Sequence, residues 1–371
     1  DVRRLIDNAS QAAAFLDAQT ANGAQIQAPD TGSKLCAVKK LFFSEEGEED
    51  KAKSVSKEKA LELTREGLEA IFPEGGKPAK LASGAQGAVY SVGGDRVYKK
   101  IIQNQEITIP FVGDLAASKL RESANVAVPT DFFIQVVRDG ASNVVKVPAN
   151  GVQEWSRPVV GMGSDLNMVG TLMPKAPGET VEKKMKDGIF KTDPGVFKSL
   201  AKGLVEGLQE MHKNNLVYHD LKPANILMDT DSGRVTFVDL GEIVELTDSD
   251  PTTSKYAGSE LMMEPRVKQR EPHGTEVDYY SLAVTLLASL EPELEKVPPG
   301  KVSTNGRAED LVGNHIKALK GINPEKGEAL ELELANNKFA KELISKCFVA
   351  SSESPLLSGP AKLSVQQMVA A

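Results

Sequence analysis

Cysteine and histidine are scarce in this chain. Of its 371 residues only Cys36 and Cys347 are cysteines, and four are histidines. Two cysteines so far apart exclude a disulfide framework and a cysteine-rich zinc site. Four histidines leave little for a histidine-built metal centre. Positive charge is also short: 44 Lys+Arg against 52 Asp+Glu give a net charge of -8. That argues against a dedicated nucleic-acid or anionic-membrane binder, whose phosphate contacts need a basic face. Long apolar runs are missing as well. The longest candidate, Ser281 to Leu290, falls well below the roughly 18 residues that span a bilayer, and it reads as a core helix. No repeat of solenoid period is evident.

What is present fits an ordinary globular composition, with 40% hydrophobic and 26% charged residues. The length suits one bilobal unit or two domains. The chain opens at Asp1 rather than Met, which reads as a processed or partial chain whose missing start could have carried a targeting signal. Residues 1–75 differ in texture from the rest. An Ala-rich, helix-compatible stretch is followed by a small polar linker from Thr20 to Ser33 and a Lys/Glu-rich stretch from Glu45 to Lys59. Leu61, Leu63, Leu68 and Ile71 then suggest a helix ending before Pro73. The segment reads as a helical or partly flexible extension, with a docking or regulatory role as the alternative.

From Lys80 onward short β-prone runs take over: Ala88 to Val92, Arg96 to Ile102 and Asp131 to Val137. Gly93-Gly94-Asp95 is a hairpin turn between the first two. A helix fits from Pro110 to about Glu122. Past Pro177-Gly178 helices dominate, and Phe197, Leu200, Leu204, Leu208 and Met211 form one apolar stripe at steps of three and four. The expected plan is α+β: a β-rich N-lobe over about 76–175 and a larger helical C-lobe over about 176–371.

Three groups of residues carry chemistry. Leu81-Ala-Ser-Gly84-Ala-Gln-Gly87-Ala-Val89-Tyr90 is a glycine turn between strands, able to lay backbone N–H groups over a phosphate or to serve merely as a turn. Val97 and Lys99 share one face of the next strand and Lys100 lies on the other, so either lysine could be a phosphate ligand or a solvated strand lysine. The third group, Tyr218-His219-Asp220-Leu221-Lys222-Pro223-Ala224-Asn225, followed by Val238-Asp239-Leu240-Gly241, is the most specific.

With these residues the chain resembles the eukaryotic-type serine/threonine protein kinases, whose pattern is H-R-D-x-K-P-x-N and then D-F-G. The resemblance covers roughly residues 80–365 and implies a bilobal kinase fold using ATP and Mg²⁺, with Mn²⁺ as a substitute. It implies Asp220 and Lys222 as catalytic residues, with Asp220 accepting the proton of the substrate hydroxyl and Lys222 balancing γ-phosphate charge. Asn225 and Asp239 are implied as metal ligands. Leu81, Gly84, Gly87, Val89, Val97, Lys99, Met173, Pro174 and Ala176 are implied as nucleotide contacts, with Met173 as gatekeeper and Pro174 and Ala176 reading adenine. Gly258-Ser259 to Pro265 resembles the end of an activation segment, and Asp278 the buried aspartate that supports the catalytic loop.

Several positions depart from the pattern. Ala82 stands for the first loop glycine, Tyr218 for the family histidine, His219 for its arginine and Leu240 for its phenylalanine. Arg266 stands for a glutamate, so that ion pair is missing or reversed. Asp114 and Glu122 are both candidates to pair with Lys99, and neither has the usual spacing. Arg138 to Asn167 reads as an insertion around the fourth and fifth strands. His219 reads as a packed or solvated side chain rather than a proton shuttle. The substitutions are similar to those of kinases that pathogenic bacteria deliver into host cells, and the resemblance implies a cytosolic protein or, as a secreted effector, one acting in host cytoplasm.

The expected partners are a protein substrate with a Ser/Thr acceptor and a docking or activating protein through residues 1–75. No nucleic acid and no membrane span are expected. Two other readings stand beside this one: a pseudokinase or scaffold, and a small-molecule kinase of the aminoglycoside-modifying type, against which Lys222-Pro223 and the Gly258 to Pro265 segment argue.

Overall fold

The computed structural model describes residues 78–84, 87–101, 109–138, 141–149, 166–304, 307–353 and 360–370. The expected extension over 1–75 lies outside them. The chain divides into two units: one holds residues up to Arg121 with Val128–Lys175, the other Glu122–Ala127 with Ala176–Ala371.

In the first unit an antiparallel sheet is built from β1 (Ala79–Gly84), β2 (Gly87–Ser91), β3 (Arg96–Ile101), β4 (Asp131–Arg138), β5 (Ala141–Pro148) and β6 (Leu166–Pro174). The strand order is β1-β2-β3-β6-β4-β5. The β2–β3 turn forms because Gly93, Gly94 and Asp95 all take positive φ (83°, 57° and 54°), which glycine adopts freely and Asp tolerates. Helix α1 (Ile109–Ala117) and a 3-10 turn (Ser118–Leu120) follow β3 and stop at Arg121, whose φ is 58°.

The stretch expected to be an insertion contains β5, which pairs residue for residue with β4 from Asp131↔Pro148 to Arg138↔Ala141 and so forms an extra edge strand. Tyr98 is fully buried on β3 with its ring edge-on to Phe133 at 5.3 Å. Gly170 on β6 makes room for it, since a Cβ there would meet the tyrosine hydroxyl at 2.2 Å.

The second unit begins with β7 (Glu179–Thr180), α2 (Val181–Lys186), α3 (Ile189–Thr192) and α4 (Pro194–Lys213). Asp193 caps α4, accepting from the Gly195 and Val196 N–H groups at 2.8 and 3.2 Å, and Pro194 occupies the first helical position. The predicted stripe of Phe197, Leu200, Leu204, Leu208 and Met211 is entirely buried. Burial of each such side chain contributes about 1.5–3 kcal/mol. Gly203 and Gly207 lie on the face toward the short strands, where a Cβ would meet Val235 at 2.5 Å and the Phe237 ring at 2.4 Å.

Those strands are β8 (Leu216–Val217), β9 (Ile226–Met228), β10 (Val235–Phe237) and β11 (Val244–Glu245), arranged as a β10-β9-β7 sheet and a β11-β8 pair. Glu122–Ala127 fall inside the expected N-lobe range yet group with this unit. Val126 bridges to Phe237, and Asn125 donates to the carbonyls of Gly203 and Val235 at 3.3 and 3.2 Å.

The remaining helices are α5 (Pro265–Lys268), α6 (Val277–Leu290), α7 (Leu311–Ile322), α8 (Pro324–Asn336), α9 (Lys338–Ser351) and α10 (Pro360–Ala370). Every residue of α6 is buried, so the apolar run from Ser281 to Leu290 is its inner length. Among the described residues no helix is long and apolar enough to cross a membrane.

His315 of α7 is fully buried and stacks on Phe348 at 5.3 Å, its Nδ1 2.8 Å from the Leu311 carbonyl. Burial pushes its pKa down to about 4, against the small raising effect of that carbonyl. The unfolded chain, with a histidine pKa near 6.5, therefore binds more protons than the fold between about pH 6.5 and 4, so this contribution is lost as pH falls through that window. Comparing urea midpoints at pH 7 and pH 5, His315→Leu should lose roughly 2 kcal/mol less than the wild type on acidification. An equal loss in the two proteins would contradict the assignment.

Candidate active site

Asp220 lies in a tight loop between β8 and a 3-10 turn (Pro223–Asn225). It is 7% exposed, and both its oxygens are engaged. Lys222 Nζ is 2.7 Å from Asp220 Oδ2 and donates to Ser259 Oγ at 3.0 Å. The Ser259 hydroxyl donates to Asp220 Oδ1 at 3.1 Å. Asn225 Nδ2 donates to the Asp220 carbonyl at 3.0 Å and to Asp220 Oδ2 at 2.7 Å. Ser259 comes close because Gly258 precedes it: φ is 99°, and a Cβ there would meet the His219 carbonyl at 2.5 Å. Any other residue at 258 would push the segment off the loop.

The loop is held from beneath by Asp278, which is 0% exposed at the start of α6. Its carboxylate accepts from the backbone N–H groups of Tyr218 and His219, both at 2.8 Å, and its Oδ2 lies 2.9 Å from His212 Nε2. Burial raises its pKa, but the His212 hydrogen bond, the nearby histidines and the Tyr218 N–H outweigh that and hold it below the usual carboxylate value. His212 left no sign in the sequence, because a contact 66 residues apart leaves no local pattern.

Tyr218 is buried and donates its hydroxyl to the Val238 carbonyl at 2.7 Å, with its ring edge-on to Phe237 at 5.1 Å. Burial, with the Asp220, Asp239 and Asp278 charges adding to it, raises its pKa well above 10, so it stays a donor. The bond ties the loop to the residue preceding Asp239. Asp239 and His219 both take positive φ, 56° and 66°, a conformation uncommon outside glycine. Leu240 is buried at the family phenylalanine position.

The other predicted residues fall in the first unit or at its edge. Lys99 is buried, and its Nζ lies 3.4 Å from the fully buried Asp114 of α1. Glu122, the other candidate, is exposed. Lys100 is also buried at 7%, so it is not the solvated strand lysine that remained open from the sequence. Val89 sits opposite Lys99 across β2–β3, and Val97 opposite Met173 across β3–β6, with both members of the second pair buried. Gly84 pairs with Gly87 at the tip of β1–β2, where Leu81 is 49% exposed. Pro174 is exposed and Ala176 half-buried.

Arg266, where a glutamate was expected, reverses the ion pair. Its guanidinium reaches Glu264 at 3.1 Å, the buried Glu276 at 3.2 Å and the carbonyl of Ser351 at the end of α9 at 2.6 Å. The carboxylate partner is on α6's leading edge instead of after Pro265.

The protein kinase domain family matches residues 159–354, just over half of the sequence. The chain belongs to that family. The match takes in Asp220, Lys222, Asn225, Asp239 and Asp278 and leaves out Lys99. Among curated proteins, this kinase-family chain is 45% identical over 83 residues to rhodopsin kinase from Homo sapiens, covering 22% of this chain and 15% of the relative. It is 36% identical over 110 residues to a probable serine/threonine-protein kinase, mkcB, from Dictyostelium discoideum, 30% of this chain and 15% of the relative. It is 27% identical over 191 residues to mitogen-activated protein kinase kinase kinase 15 from Mus musculus, 51% of this chain and 13% of the relative. The aligned kinase segments thus span about one seventh of these relatives.

Proposed function

We propose that the chain transfers the γ-phosphate of ATP to serine or threonine hydroxyls of proteins. The observation that carries this reading is the Asp220 carboxylate, fixed by Lys222, Asn225 and Ser259 at 2.7–3.1 Å. Phosphoryl transfer asks the protein for position and charge more than for covalent chemistry. A carboxylate so oriented accepts the proton of an incoming hydroxyl, and Lys222 beside it offsets charge that gathers on the phosphoryl oxygens. Asn225 Oδ1 and the Asp239 carboxylate are hard oxygen donors suited to Mg²⁺ or Mn²⁺, which when bound neutralises phosphate charge. Lys99, paired with Asp114 at 3.4 Å, matches the lysine that the kinase resemblance assigns to the α- and β-phosphates. The presence together of Lys99, Asp220, Asn225 and Asp239 favours an enzyme over a scaffold, which has no need of all of them. Ser259, bonded to both Asp220 and Lys222, favours a protein acceptor over a small alcohol. Labelled ATP with Mg²⁺, offered generic protein substrates and aminoglycosides in parallel, should label serine and threonine in protein alone. Label in the aminoglycosides alone would overturn the reading.

Control by phosphorylation of the segment before Gly258 is not expected. Lys255, the nearest cation along the chain, is engaged by Glu242 at 2.8 Å, and His219 is buried at 3% exposure. Neither offers the bidentate fork that guanidinium gives a phosphate, and the Arg270 guanidinium is stacked over the Tyr256 ring at 5.2 Å. Alanine at Thr252, Thr253 and Ser254 with phenylalanine at Tyr256 should keep activity on a peptide within about threefold. A hundredfold loss restored by an acidic residue would refute this.

A further inference from the structure

We propose that His273 is a positioning residue that anchors the segment around Thr253 to the catalytic loop through a hydrogen bond between its ring and that of His219. The inference rests on the kinase reading of Asp220. His219 immediately precedes Asp220, and its Nε2 lies 3.0 Å from His273 Nε2. The rings meet edge to face, at 5.2 Å and 83°. His273 Nδ1 is 2.8 Å from the Glu271 carbonyl, which can only accept, so that nitrogen carries the proton. In a neutral ring His273 Nε2 is then a lone pair, and His219 Nε2–H donates to it.

The other end of the connection is backbone. Thr253 N–H donates to the His273 carbonyl at 2.8 Å, and His273 N–H to the Thr253 carbonyl at 2.9 Å. One buried side-chain hydrogen bond therefore joins the loop that orients Asp220 to a stretch lying five residues before Gly258.

The His219 ring is held neutral. His219 is 3% exposed and His273 0%. Around His219 stand Asp278 and the Glu242 carbonyl, which favour a proton, and Lys255 and His273, which oppose it. Burial outweighs them all and lowers its pKa to about 4. A second proton on the pair would set two N–H groups against each other at hydrogen-bonding distance, so acid should release the anchor.

The test compares two variants with the wild type. His273→Phe keeps the ring packing and removes the acceptor, whereas His273→Gln offers an amide oxygen to His219. Hydrogen exchange reads the anchor, and peptide phosphorylation reads its consequence. The proposal expects exchange at Thr253 and His273 amides to quicken at least tenfold in the Phe variant and to return near the wild-type rate in the Gln variant. It also expects the KM for peptide to rise several-fold in the Phe variant with kcat less affected.

In the wild type, protection at Thr253 should fall between pH 6.5 and 4 before that of α4 does. This arm also decides the matter should the Phe variant not fold. Wild-type exchange in the Phe variant, equal impairment in both variants, or parallel loss at Thr253 and α4 would overturn the proposal. Quickened exchange in a protein without phosphoryl transfer would instead leave the anchor standing and fail the kinase reading.

Discussion

Asp239→Asn should abolish phosphoryl transfer while leaving the fold almost unchanged. Asp239 takes φ 56°, and asparagine tolerates the left-handed region as well as aspartate does, so the backbone after Val238 has no reason to move. What changes is charge. An amide replaces an ionised carboxylate as ligand for a hard divalent cation that must compete with a triphosphate. We expect activity to fall by at least about a thousandfold, the scale on which losing a charge partner acts in phosphoryl transfer. The melting temperature should stay within about 2 °C. Titrating Mg²⁺ and Mn²⁺ in the assay distinguishes weakened metal binding from misfolding. Wild-type activity in Asp239→Asn would remove this residue from the mechanism.

Asp278→Ala should act in the opposite manner, through the fold. The native carboxylate satisfies two buried backbone N–H groups and His212 within 2.9 Å, and alanine leaves all three without an acceptor. Removing one member of a buried charged network costs about 3–5 kcal/mol. Activity should be lost even at temperatures where the variant remains folded, because the Tyr218–His219 backbone sets where Asp220 points. Urea unfolding with activity measured on the same samples checks both parts. A loss below about 1 kcal/mol, no more than one ordinary hydrogen bond, would mean that solvent replaces the carboxylate.

The loop from Tyr218 to Asn225, the residues around Asp239 and the apolar stripe of α4 were legible because each is a local pattern. A helix face repeats every three or four residues, and a phosphoryl-transfer loop needs fixed residue types at fixed spacing. What could not be read was long-range. The choice between Asp114 and Glu122 depends on where α1 lies against β3, which residue spacing along the chain does not fix. The reversed pair at Arg266 was anticipated only as a possibility, since Glu276 and Ser351 lie ten and 85 residues away. His273 carried no signal at all. It reads as a lone histidine in a polar loop, and its meaning comes from His219, 54 residues earlier. The strand Ala141–Pro148 was legible only as extra length, because an edge strand pairs on one side and needs no strong pattern of its own.

The most direct measurement is single-turnover transfer from Mg-ATP to a serine/threonine peptide by the wild type and by Asp220→Asn, with nucleotide affinity measured on the same preparations. The carboxylate held by Lys222, Asn225 and Ser259 should be needed for transfer and not for nucleotide binding. Transfer should therefore fall in Asp220→Asn by about 10²–10⁴-fold, the usual contribution of a positioned acid or base, while ATP affinity changes less than about threefold. Equal transfer rates in the two proteins would contradict the account.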